Sequence, residues 1–202
     1  DEDIGYGRIQ KPLQSPHPPI SVPVTGYNSN SAKIAAKYGF SPFSHSITSL
    51  PVLKDNWKTY SDSRSSLALE ANRSDWKLAR TIFIADTDEE AIKRAKSNSI
   101  SKAYKYLASA IQKGPGLAIM KSDPDQPDSE ITEDYLIDNL VIAGSDDTVI
   151  ERLHEITEFL GPFGTLINMS FDWIDESDKK SWLESMSRYQ NEVIPKLSSQ
   201  LE

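Results

Sequence analysis

The chain has 202 residues, a formal net charge of −8, 38% hydrophobic content and no cysteine. That length fits one large domain or two small ones, and the missing thiols exclude a cysteine nucleophile, an iron–sulfur cluster and a disulfide scaffold. The acidic balance argues against a nucleic-acid partner, which needs a basic face to displace counterions, and no apolar run is long enough for a membrane span.

Residues 1–19 read as an extended, proline-punctuated lead-in, because Pro16, Pro18 and Pro19 forbid helix and push their neighbours toward β or polyproline geometry. The first four residues, Asp1-Glu-Asp-Ile4, lack the apolar core of a secretory leader, so the cytoplasm is the expected compartment. A short strand follows at 20–25, with Pro23 inside it. Asn28, Ser29, Asn30 and Ser31 then open a helix that runs to Tyr38 and stops at Gly39. Residues 41–46 form a second strand candidate, and 51–71 read as helix, with Val52, Leu53, Trp57 and Tyr60 at helical spacing.

The clearest strand is 77–85, β-branched and aromatic with almost no interruption, as a strand buried on both faces would be. Thr87 with Glu90 fits a capping box, and the helix it starts is expected to continue to Gln112. Periodicity is lost over 113–132, a polar, proline-rich stretch of the kind that forms either a mobile lid or a surface insertion without a role. A short helix at 133–141, a helix capped at 144–148, a strand at 163–170 and a terminal helix to about Leu201 complete the chain. Four strand candidates alternating with helices imply parallel pairing and right-handed crossovers. A closed eight-stranded barrel needs about 250 residues, so the α/β chain is read as one domain, either a small doubly wound sheet or half of a barrel.

Few residues point to chemistry. Asn28, Ser29, Asn30 and Ser31 offer hydroxyls and amides beside free helix N–H groups, which suits a phosphate cradle; ordinary N-capping prefers the same residue types. Asp172 and Trp173 follow the last strand, where barrel enzymes place their reacting groups, or else they cap and pack the terminal helix. His45 also follows a strand candidate and carries the same two readings. His154 reads as a surface residue on a helix, His17 as a structural residue between prolines, and Lys121 as solvated. The wide spacing of the histidines gives no expectation of a metal.

Several segments resemble the bacterial luciferase-like flavin-dependent monooxygenase family. They are Lys11-Pro-Leu-Gln-Ser-Pro-His-Pro-Pro-Ile20, Asn28-Ser-Asn-Ser-Ala-Lys-Ile-Ala-Ala-Lys-Tyr-Gly39, Arg80-Thr-Ile-Phe-Ile-Ala-Asp-Thr-Asp-Glu-Glu-Ala91 and Val141-Ile-Ala-Gly-Ser-Asp-Asp-Thr-Val149. Gly161-Pro-Phe-Gly-Thr-Leu166, Asp172-Trp173 and Glu192-Val-Ile-Pro-Lys-Leu197 are similar to the C-terminal end of one branch. Each motif is soft, but their order and spacing are specific.

The resemblance implies the C-terminal half of a (β/α)8 barrel, about four parallel strands alternating with helices, that binds reduced FMN. It implies oxidation of a small organic substrate with O2, a separate NAD(P)H-dependent flavin reductase, and the remaining half-barrel or a second copy of the chain as partner. It places Asn28, Ser29, Asn30 and Ser31 at the flavin phosphate and 113–132 at the mobile loop over the active site. It assigns no catalytic residue here, because the strands carrying the family's catalytic histidine have no counterpart, and Phe171 stands where a related branch has a histidine. A non-catalytic flavin-binding protein of this fold and a deazaflavin-dependent oxidoreductase are the alternatives.

Overall fold

The computed structural model describes residues 10–114 and 116–199, with side chains to Leu197. The first nine residues of the expected lead-in lie outside the described residues. From Pro19 onward the chain alternates strands and helices. β1 (Ser21–Val24), α1 (Asn30–Tyr38), β2 (Ser41–Ser44), α2 (Leu50–Ser66) and β3 (Lys77–Ile84) come first. Then come α3 (Asp88–Ala95), α4 (Ser99–Gln112), α5 (Glu133–Leu140), β4 (Val141–Gly144), α6 (Asp146–Leu160), β5 (Thr165–Asn168), α7 (Glu176–Arg188) and α8 (Ile194–Ser199).

All the strand pairings are parallel. β3 is the longest strand and belongs to two sheets. Its first half pairs with β5, Lys77 opposite Thr165 through Arg80 opposite Asn168, and its start also meets Phe43 and Ser44 of β2. β1 pairs with β2 along its whole length. The order β1-β2-β3-β5 is therefore a four-stranded arc, each strand next to its sequence neighbour but for the β4 excursion. The second half of β3, Thr81 to Ile84, leaves this arc and pairs with β4 instead.

Two cores follow from this division. The first lies between the arc and its outer helices: Val24, Leu78 and Ile82 from strands, Ala32, Ala35 and Ala36 from α1, Leu53, Trp57 and Tyr60 from α2, and Val149 and Leu153 from α6. Trp57 stacks on the fully buried Trp76 with ring centroids 5.3 Å apart, and the Arg73 guanidinium lies over Trp57. The second core wraps the outer half of β3 with Phe83, Tyr104, Met120, Leu136 and Trp182. Trp182 meets Phe83 edge to face and donates its indole N–H to Ser99 Oγ at 2.8 Å.

Several boundaries depart from expectation for local reasons. The helix expected from Thr87 to Gln112 is two helices. Ser97 turns its hydroxyl back on the Lys93 carbonyl, and Asn98, extended, caps α4 by accepting the Ile100 N–H at 2.9 Å. β4 is not among the strand candidates, and its first residue falls in the helix expected over 133–141, because it follows α5 without a turn: Val141 is at once the last cap of α5 and the first strand residue. α2 ends at Ser66 rather than at Ala71. The terminal helix widens to a π turn at Tyr189–Val193, just before Pro195, whose missing N–H and ring disfavour regular α-helix there.

Candidate functional site at the mouth of the arc

In parallel α/β architectures the C-terminal ends of the strands gather the reactive groups. A polar relay ties these ends together. Trp76 donates its indole N–H to Ser44 Oγ at 3.0 Å, Ser44 Oγ contacts Asn56 Oδ1 at 3.4 Å, and Asn56 Nδ2 donates to the Gly26 carbonyl at 2.8 Å. The relay fixes the end of β1 against β2 and α2. It also shows which way β2 faces: Ser44 looks to the helices, so its neighbours Phe43 and His45 look to the inner side of the arc.

On that inner side His45 is half-buried at the end of β2, 6.4 Å from the Phe43 ring. Its Nδ1 accepts the Ile47 N–H at 3.3 Å, which leaves the proton of the neutral ring on Nε2. Burial, and then the nearby Arg80 charge, push its pKa below the ordinary imidazole value. Tyr104, fully buried, donates to Thr81 Oγ1 at 3.1 Å and meets Phe171 edge to face. Sequence reasoning missed Tyr104 as part of this wall, since on α4 it reads as one more apolar stripe residue.

The four cradle residues divide their duties. Asn28 adopts a left-handed backbone, φ 49°, and donates its N–H to Asp55 Oδ2 at 2.6 Å. Ser29 is buried and caps α1, its Oγ 3.5 Å from the Ala32 nitrogen. Asn30 and Ser31 are the first two residues of α1, and no acceptor is recorded for their N–H groups among the described residues. The capping reading thus holds for Ser29, while the donors a phosphate would use belong to Asn30 and Ser31. The Asp55 carboxylate takes the Asn28 N–H, so that donor is already engaged.

Part of the 113–132 stretch packs against the start of α2. Its turn Leu117–Met120 is anchored: Leu117, Ile119 and Met120 are buried, and the Ile119 carbonyl accepts the Ser49 N–H at 2.9 Å. Lys121 is not solvated as its sequence context suggested. It pairs with Asp128 at 2.7 Å, and its side chain is 12% exposed. Asp172 does not cap the last helix; Asp175 does, accepting the Asp178 N–H at 2.9 Å. Trp173 is half exposed, under the Lys179 ammonium, and so does not pack in the core. His17 is exposed and donates Nδ1–H to the Pro18 carbonyl, and His154 is half-buried on α6. Among the described residues no three His, Cys, Asp or Glu side chains converge as a metal site would require, and no helix is long and apolar enough to cross a membrane.

No protein-family model matches the chain. Among curated proteins it is 32% identical over 184 residues to 2,5-diketocamphane 1,2-monooxygenase 1 of Pseudomonas putida, covering 88% of this chain and 50% of that protein. It is 30% identical to 3,6-diketocamphane 1,6-monooxygenase of the same organism, covering 89% and 47%. Among solved structures it superposes, with a TM-score of 0.77 and 28% identity, on the oxygenating constituent of the Pseudomonas putida 3,6-diketocamphane monooxygenase, a type II Baeyer–Villiger monooxygenase in complex with FMN. That match covers 90% of this chain and 49% of the other. The chain spans about half the length of the curated relatives it matches.

Proposed function

Since this chain is a homologue of the luciferase-like flavin-dependent monooxygenases over about half their length, we propose that it is part of an FMN-dependent monooxygenase that oxidises a small organic substrate with O2. The observation that carries this reading is the pair of unclaimed N–H groups at Asn30 and Ser31. They stand beside the Ser31 hydroxyl, at the C-terminal end of a parallel strand, where the resemblance puts the flavin phosphate. In this reading Ser29 stiffens the first turn of α1, Asp55 holds Asn28 in its left-handed turn, and Asn30 and Ser31 hold the phosphate. Reduced FMN, when bound, supplies the reactivity toward O2. Phe43, Tyr104 and Phe171 wall the inner side of the mouth, the neutral His45 presents Nε2–H there, and the anchored Leu117–Met120 turn excludes water beneath the polar stretch that follows it. A flavin reductase in the same cytoplasmic compartment supplies the reduced cofactor, and the rest of the barrel comes from further sequence or from a second copy.

Phe171, in place of a proton-carrying side chain at the end of β5, favours a second reading, a flavin-binding protein without turnover. Oxygen-dependent substrate consumption with reduced FMN separates the two.

The cradle itself is tested by the double variant Asn30→Ala, Ser31→Ala, titrated with FMN and with riboflavin. Losing phosphate contacts worth about 1–3 kcal/mol weakens FMN by roughly ten- to a hundredfold and leaves riboflavin unchanged. Equal weakening of both removes the phosphate role.

A further inference from the structure

A cavity of about 360 Å³ opens on the helical side of β3, away from the inner face of the arc, between the start of α2, the end of α5, β4 and α6. Its wall is apolar at Leu50, Leu140, Ile142, Ile156 and Phe159 and charged at Arg80, Asp138, Arg152 and Glu155. Arg80 is 3% exposed. Its Nη1 donates to the carbonyls of Ser46 at 3.1 Å and Thr48 at 2.8 Å. Nε and Nη2 have no recorded acceptor among the described residues, and neither belongs to the sealed polar atoms left without partners, which are Thr48 Oγ1, Ser49 Oγ, Asn98 Nδ2 and Asp178 Oδ1. These two donors therefore keep the little accessibility that Arg80 has.

No carboxylate neutralises this guanidinium. The two acids on the same wall are engaged elsewhere, Asp138 with Lys96 at 3.0 Å and Glu155 with Arg152 at 3.6 Å. Desolvation, opposed in part by Tyr104, brings the Arg80 pKa down to about 10, so the group stays cationic at neutral pH. A buried, uncompensated charge costs several kcal/mol. Holding two backbone carbonyls offsets part of that cost and leaves the Nε–Nη2 side free, the fork that matches a carboxylate with two parallel hydrogen bonds.

We infer that this cavity is a binding site for a small monocarboxylate with an apolar tail, its carboxylate on Arg80 and its tail along Ile142, Ile156 and Phe159. Of the two cations on the wall, Arg152 is held by Glu155, so Arg80 is the one available to a single negative charge, and Asp138 and Glu155 disfavour a dianion. The cavity volume lies within the usual range of small-molecule sites. Neither Asn30 nor Ser31 of the cradle lines this cavity.

The test is calorimetric titration of the flavin-loaded, full-length protein with octanoate and with octanol. Octanoate binds saturably below about 10 mM, and octanol, equal in tail but uncharged, binds at least tenfold more weakly. Phe159 is 42% exposed, so Phe159→Glu leaves the fold intact; it places a charge against the apolar tail and weakens octanoate at least tenfold while FMN affinity is unchanged. Arg80→Met abolishes octanoate binding in protein that still melts cooperatively. The inference is overturned by octanoate that does not saturate, by octanol that binds equally well, or by a Phe159→Glu protein that binds octanoate as the parent does.

Discussion

His45 shows how a single side chain acquires a pH dependence from its place in the fold. Burial and the Arg80 charge hold its pKa below the ordinary value of 6.5. The unfolded chain therefore takes up a proton before the folded one does. The stability His45 contributes is complete above about pH 6.5 and is lost as the pH falls toward its lowered folded value. Chemical denaturation from pH 7.5 to 5.5 should show the parent losing stability across this window and His45→Gln losing less; identical slopes for the two would refute the assignment. At this scale the sequence was partly legible. The residue types at 28–31 announced a helix start with spare donors, but nothing in them announced that Asp55, 27 positions later, would take the Asn28 N–H. Nor could Lys121 be recognised as paired, because its partner Asp128 lies in a stretch without periodicity.

Elements were legible where a pattern ran long and illegible where tertiary contact replaced pattern. β3, eight residues of which seven are buried, with Ile82, Phe83 and Ile84 in a row, stands out in any window, whereas β4 has four residues and follows directly on α5. What makes Val141–Gly144 a strand is the second half of β3 beside it, which pairs with neither β2 nor β5, and not its own composition. The junction before β5 depends on a glycine in a comparable way. A methyl group on Gly164 would stand 1.8 Å from the Ser74 carbonyl oxygen, which is backbone and cannot swing aside. Gly164→Ala should therefore cost about 3 kcal/mol and lower the melting temperature by roughly 10 °C. A melting temperature within 2 °C of the parent would show that the β5 junction yields, in contrast to the close packing argued here.

The whole molecule is an arc rather than a closed barrel. Among the described residues, β1 and β5 each pair on one side only. The inner face carries Pro23, Phe43 and Ile167 at partial or full exposure, and Lys77 reaches across it to Ser21 Oγ at 2.6 Å. Open edges and an apolar face favour pairing with more strands. The 202-residue chain by itself is therefore expected to elute as a dimer or larger species and to enhance the fluorescence of a hydrophobic dye. A compact monomer that leaves the dye dark would contradict the open arc. Alternation of strands and helices was enough to read parallel pairing, but left a small doubly wound sheet and half of a barrel as alternatives; the family resemblance supplied the half-barrel. The excursion through β4 was not readable, because only the three-way pairing of β3 reveals it.

That three-way pairing separates two kinds of freedom. The register of the arc is set by the first half of β3 against β2 and β5, between Lys77 and Arg80. Everything from Thr81 to Gly144 hangs on the second half. Residues can be added to or removed from the helices and turns of that excursion without altering how many strands the arc holds or how they are staggered. β3 thus works as a socket, with a fixed end built into the scaffold and a free end that accepts attachments of different length. A lineage carrying this fold could remodel the cover of its mouth, and with it the choice of substrate, while the cradle at Asn30 and Ser31 stays untouched.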